Sequence, residues 1–117
     1  MARQHMKVVK KISLSELTEM AERMYGGLVK ADVDIAKGIM IVDMEMHADG
    51  EAELLDSGSK QEDLWGINLY PDKFGSNEFI EFDSMINLRP KQNRSITIVN
   101  ETIKKRIREI IAEVVHE

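Results

Sequence analysis

The chain has 117 residues, 43% hydrophobic and 32% charged, with 21 acidic against 16 basic side chains and a net charge of −5. That length fits one domain with its own core, and the absence of cysteine excludes disulfides, thiolate catalysis and cysteine-ligated zinc. The acidic balance argues against nucleic acid as the main partner, because that affinity comes from Lys and Arg displacing counterions. No apolar run reaches the length of a membrane span and no signal-peptide core opens the chain, so the sequence reads as cytoplasmic with no membrane partner.

Met1 to His5 precede a second methionine, Met6, and read as a leader. His5 is therefore kept out of the site, and residues 1–117 are taken as a single domain. Lys7 to Ile12 reads as a short first strand. Ser13-Leu14-Ser15-Glu16 has the form of a capping box, and Leu17, Met20, Ala21 and Met24 follow at helical spacing, so a helix is expected over 14–25, stopped by Gly26-Gly27. Val29 to Ile35 alternates, with Val29, Ala31, Val33 and Ile35 on one side and Lys30, Asp32 and Asp34 on the other. A turn at Ala36-Lys37-Gly38 leads into Ile39 to His47, so 28–47 reads as a β-hairpin. In its second strand Met40, Val42, Met44 and Met46 should face the core. Asp43, Glu45 and His47 should face away.

Ala48 to Ser57 reads as a short helix with Asp49 as a possible N-cap and Gly58 as its stop. Leu64 to Tyr70 is a strand closed by Pro71, and 71–77 is a loop. Phe79 to Leu88 reads as a strand with Ile80, Phe82, Ile86 and Leu88 on one face and Glu81, Asp83, Met85 and Asn87 on the other. Pro90 to Arg94 is a polar loop. Asn100 caps a last helix over 101–116, whose stripe is Ile103, Ile107, Ile110, Ile111, Val114 and Val115. These elements give an α+β two-layer sandwich: a mostly antiparallel sheet of about four strands with helices 14–25 and 101–116 on one face.

The other face would then collect Asp32, Asp34, Asp43, Glu45, His47, Glu81, Asp83 and Asn87. A solvated sheet face is the commoner reading of such a pattern. The sharper reading is a site in which Glu45, His47 and Asp83 act as a small hydrolase or metal-dependent enzyme. Glu45 and His47 are the candidate ligands of a divalent metal. Residues two apart on a strand lie about 6.5–7 Å apart, so Asp43, Glu45 and His47 cannot all converge on one ion, and Glu81 or Asp83 would have to help. No nucleophile elbow, phosphate loop or metalloprotease helix is present. Trp65, with Gly66 beside it, is a core aromatic or an interface anchor. Asn68 shares that strand, and Arg89 and Arg94 flank a loop able to hold an anion. The set of binding candidates is thus Asp43, Trp65, Asn68, Glu81, Asn87, Arg89 and Arg94.

The combination of Gly38-Ile39-Met40, Asp43, His47-Ala48-Asp49, the run Gly58 to Pro71 and the run Phe79 to Pro90 resembles a family of small uncharacterised prokaryotic proteins, one of the domains of unknown function. The resemblance extends over nearly the whole chain from Met6. It implies a bacterial or archaeal cytosolic protein whose whole length is the domain, and it brings no assigned activity. The expectation is a small cytosolic binding or protein-interaction domain, with a second copy of itself (a homo-oligomer) or another protein as its partner. The alternative is the carboxylate and histidine enzyme.

Overall fold

The strand that organises the sheet is β3 (Val29–Asp34). The computed structural model describes residues 5–24 and 26–117. Val29, Ala31 and Val33 are fully buried in the main core, as expected of a strand with period two. β3 pairs antiparallel with β4 (Ile39–Val42) on one side and β5 (Leu64–Leu69) on the other. β1 (Lys7–Val9) and β6 (Ile80–Glu81) close the edges, giving an antiparallel sheet in the order β1-β4-β3-β5-β6. The cross-strand register places Ala31 opposite Val42 and Ile67, and Asp32 opposite Ile41 and Gly66.

The apolar face is covered by α1 (Leu14–Arg23) through Leu17, Met20 and Ala21, and by α3 (Glu101–Val114) through Ile107, Ile110, Ile111 and Val114. Both start where their caps predict. The Ser13 and Asn100 side chains accept hydrogen bonds from the backbone N–H of Glu16 and Ile103 at 3.0 Å each. Residue 25, the last of the first predicted helix, lies outside the described residues, as do residues 1–4 of the leader. The predicted last helix runs two residues too long. Val115–His116 is instead a short strand β7, parallel to β2 (Ile12–Ser13).

The α+β class and the two helices on one face are as the sequence implies, but the polar face is not bare. A third helix, α2 (His47–Asp56), lies over it. Its Leu54 joins Ile41, Met44 and Leu64 in a second apolar cluster. The long strand predicted to His47 stops at Val42 because Asp43 takes a left-handed backbone with φ of 71°, a conformation that Asp tolerates better than most residues. That single reversal breaks the alternation. Met44 ends up against the second cluster, Met46 is 62% exposed, and His47 begins a helix. Asp49 is not the cap: Met46 holds that position without a side-chain hydrogen bond. The predicted strand from Phe79 is also shorter. After β6 the chain makes one bridge from Asp83 to Thr97 and a 3-10 turn over Met85–Asn87.

α2 sits so close to the sheet that a Cβ at Gly50 would fall 2.5 Å from both Asp32 Oδ2 and Met44 Cε. Replacing a helical glycine with alanine normally gains about 1 kcal/mol. Here Gly50→Ala is expected to destabilise by about 1–3 kcal/mol through overpacking, measured by urea unfolding. A stabilised variant would show that the helix can lift without cost.

Candidate functional site

Asp32 lies in the middle of the central strand, fully buried. The first residue of α2 answers it. His47 Nδ1 is 2.9 Å from Asp32 Oδ1, and Nε2 is 3.0 Å from Asn68 Oδ1. Asn68 in turn donates through Nδ2 to Glu81 Oε1 at 2.8 Å and to the Asp83 carbonyl at 3.1 Å. The Tyr70 hydroxyl donates to the same Glu81 oxygen at 3.4 Å. A continuous polar chain therefore runs from a buried carboxylate, through a histidine whose side chain is 10% exposed, to the half-buried Glu81 and Tyr70 near the edge of the sheet. The register sets this up, since Asn68 is opposite both Lys30 and Glu81.

The partners fix the hydrogens. Both acceptors around Asn68 Nδ2 require the amide nitrogen there, so Oδ1 faces the histidine and Nε2 must carry hydrogen. A second hydrogen then has to lie between Nδ1 and Asp32 Oδ1. Burial pushes the Asp32 carboxyl up to about 6, opposed by the hydrogen bond and charge of His47 and reinforced by Glu51 and Asp49. Its other oxygen, Oδ2, is buried without a hydrogen-bond partner. Burial, and then the charge of Glu81, push the Tyr70 hydroxyl above its usual value.

Beside this chain Gly66 leaves a gap in β5. A Cβ there would meet the Ser84 side chain at 2.6 Å and His47 Nδ1 at 3.1 Å, so both groups crowd onto the bare glycine. β6 is too short to pair with Gly66, and Asn87 takes its place. Its Oδ1 accepts from the Gly66 N–H at 2.8 Å and its Nδ2 donates to the Gly66 carbonyl at 2.9 Å. One side-chain amide thus stands in for a strand's peptide group. Asn93, also buried, holds the following loop by donating to the carbonyls of Asn87, Ser95 and Thr97.

Residues 6–114 match the model of the family described as protein of unknown function, DUF5674. The chain belongs to that family. No curated protein and no solved structure matches it. The family match runs through every element that builds the polar chain, from β3 to the loop closed by Asn93.

Within this family member, the structure separates residues that the sequence grouped together. Glu45 is exposed in the linker before α2. Asp83 hydrogen-bonds to the chain through its backbone carbonyl, while its carboxylate accepts from the Thr97 hydroxyl at 2.6 Å. His47 thus meets Asp32 and Asn68 in place of Glu45 and Asp83. Both of its ring nitrogens face protein oxygens, and among the described residues no three His, Asp or Glu side chains are placed to hold a metal. Asp43 is drawn away to an ion pair with Arg23 of α1. Trp65 is fully buried in the main core, with the Arg89 guanidinium 4.2 Å from its ring centre.

Arg89 is not a free anion clamp. It donates to the carbonyls of Ile86, Gln61 and Leu64 and to the Gln92 side chain, tying the loop to the start of β5. Arg94 stays exposed and donates to the Pro90 carbonyl. Of the binding candidates, Asn68 bonds His47 directly, Glu81 is reached through Asn68, and Asn87 bonds the backbone of Gly66 beside them, whereas Asp43, Trp65, Arg89 and Arg94 are engaged elsewhere. Asp32, which the sequence placed on the polar face, was left out of the candidate catalytic, binding and metal residues. Its signal was available: a carboxylate between Ala31 and Val33 in a strand buried on one face, with valine and isoleucine in the facing strand.

Because the folded-state value of Asp32 is raised from 3.8 to about 6, its contribution to stability is fully present below about pH 4 and is lost as pH rises through about 6. The difference corresponds to on the order of 3 kcal/mol. The stability of Asp32→Asn relative to the native chain should therefore rise by about that much between about pH 4 and pH 7 in urea titrations. A difference that does not change with pH would refute this assignment. Asn87→Ala, which strips Gly66 of both partners, should cost about 2–4 kcal/mol at any pH.

Proposed function

We propose that this chain is a small binding module for a protein partner, a second copy included, and not a turnover catalyst. One contrast carries the reading. The hydrogen-bonding groups of His47, Asn68 and Asn87 at the centre of the site are engaged by neighbouring protein groups, while large apolar side chains near them face solvent. Met46 is 62% exposed, Met85 73%, Leu88 46% and Ile96 42%. They are neighbours through the backbone. Met46 and Met85 adjoin His47 and Ser84, which both reach Gly66. The Ser84 N–H donates to the Ile96 carbonyl at 3.0 Å, and the Leu88 N–H to the Met85 carbonyl at 3.2 Å. Methionine suits a surface that must adapt to a partner, and clustered exposed apolar groups mark interaction sites.

A shallow open depression of about 600 Å³ between Gln61–Glu62 and Leu88–Gln92 extends this side of the molecule. The absence of cysteine agrees with a cytosolic setting. Among the described residues no helix is long and apolar enough to cross a membrane.

The test places a photo-crosslinking residue at position 85 in the native host. One discrete protein adduct is expected, weakened about tenfold or more by Met46→Asp, as for an anchor at the centre of an interface. The reading would be overturned by the absence of any adduct. It would equally be overturned by ester or phosphoester hydrolysis, with or without zinc or manganese, that disappears in His47→Gln.

A further inference from the structure

We infer that α2 is a proton-operated latch: one hydrogen held between Asp32 and His47 keeps the helix seated on the sheet, and loss of that hydrogen loosens it. The latch belongs to the contact between helix and sheet and requires no partner.

The apolar hold on α2 is thin. Only Gly50 and Leu54 of its ten residues are buried, and its N-cap residue supplies no side-chain hydrogen bond. The polar hold is the His47 ring, bonded at both ends. If Asp32 is ionised and His47 neutral, no arrangement of the ring satisfies both ends. With hydrogen on Nε2, the Nδ1 lone pair faces the Asp32 carboxylate at 2.9 Å. With hydrogen on Nδ1, the Nε2 lone pair faces Asn68 Oδ1 at 3.0 Å. Turning the Asn68 amide only moves the conflict, because its oxygen would then face Glu81 and the Asp83 carbonyl. Two acceptors in contact without a hydrogen repel, and in a buried setting that repulsion is large.

The surrounding charges do not relieve it. On α2 itself, Asp49 and Glu51 add negative charge near Asp32. On β3, Lys30 and Asp34 flank it on the same face, and Asp34 is occupied by the Ser59 hydroxyl and the turn amides of Ala36 and Lys37. β4 and β5 place Ile41 and Gly66 opposite it and contribute no charge. From the loop, the Arg89 guanidinium lies within electrostatic reach of Glu51. Burial raises the Asp32 carboxyl to about 6, so ionisation of the carboxyl falls inside the range from about pH 5 to about pH 8.

The experiment is amide hydrogen exchange on the intact chain from about pH 5 to about pH 8, corrected for intrinsic exchange, with α3 as the internal control. Protection of α2 is expected to fall about tenfold or more relative to α3 across that range. Asp32→Asn should remove the fall, since an amide nitrogen can donate to Nδ1. A constant ratio of α2 to α3 protection in the native chain overturns the latch, as does an undiminished fall in Asp32→Asn. Should that variant not fold, nitrogen NMR of the His47 ring in the native chain decides. Loss of hydrogen between Nδ1 and Asp32 at the same midpoint as the loss of protection supports the latch, and separate midpoints overturn it.

Discussion

A carboxylate buried at the centre of a β-sheet is the constraint on which the rest of this structure depends. Asp32 has apolar residues before and after it in β3 and Ile41 opposite it in β4. Taking such a group out of water is expensive unless it is paired and hydrogen-bonded. The fold meets that cost by bringing the first residue of α2 down onto the sheet. The position of α2 then requires glycine at 50, where any side chain would strike Asp32 or Met44, and glycine at 66, where Ser84 and His47 press in. One buried acid therefore dictates a helix, its starting residue and two glycines on different elements.

The second requirement follows from the first. Opening β5 at Gly66 to admit these groups removes a normal strand neighbour, because β6 pairs only with Asn68 and Leu69. Asn87 supplies the missing donor and acceptor, Asn93 braces the loop that carries it, and Arg89 ties that loop back to β5 while stacking on Trp65. These asparagines and this arginine look in sequence like free polar recognition groups. In the fold they satisfy backbone groups that a regular strand would have satisfied. Buried polar atoms must find partners, and here side chains are those partners.

For function this separates two kinds of surface. The polar chain from Asp32 to Tyr70 is linked by hydrogen bonds, with both His47 nitrogens engaged and Asp32 Oδ2 left without a partner. Around it, Met46, Met85, Leu88 and Ile96 are exposed.

Local chemistry in the sequence was enough to establish the α+β class, the two capped helices and the central hairpin. Ser13 and Asn100 cap their own neighbours, and the periods of α1, α3, β3 and β5 are set by adjacent residues. His47, Asn68, Glu81 and Asn87 were also legible as residues worth attention. What only the tertiary structure decided was their company. The left-handed backbone at Asp43 ends β4 early and sends His47 over the sheet, and no local pattern announces it. Once it occurs, partners fifteen and twenty-one residues away in sequence, Asp32 and Asn68, replace Glu45 and Asp83. A period-two pattern says which face a residue takes while the strand continues. It does not say where the strand stops, and here that stopping point determines the site.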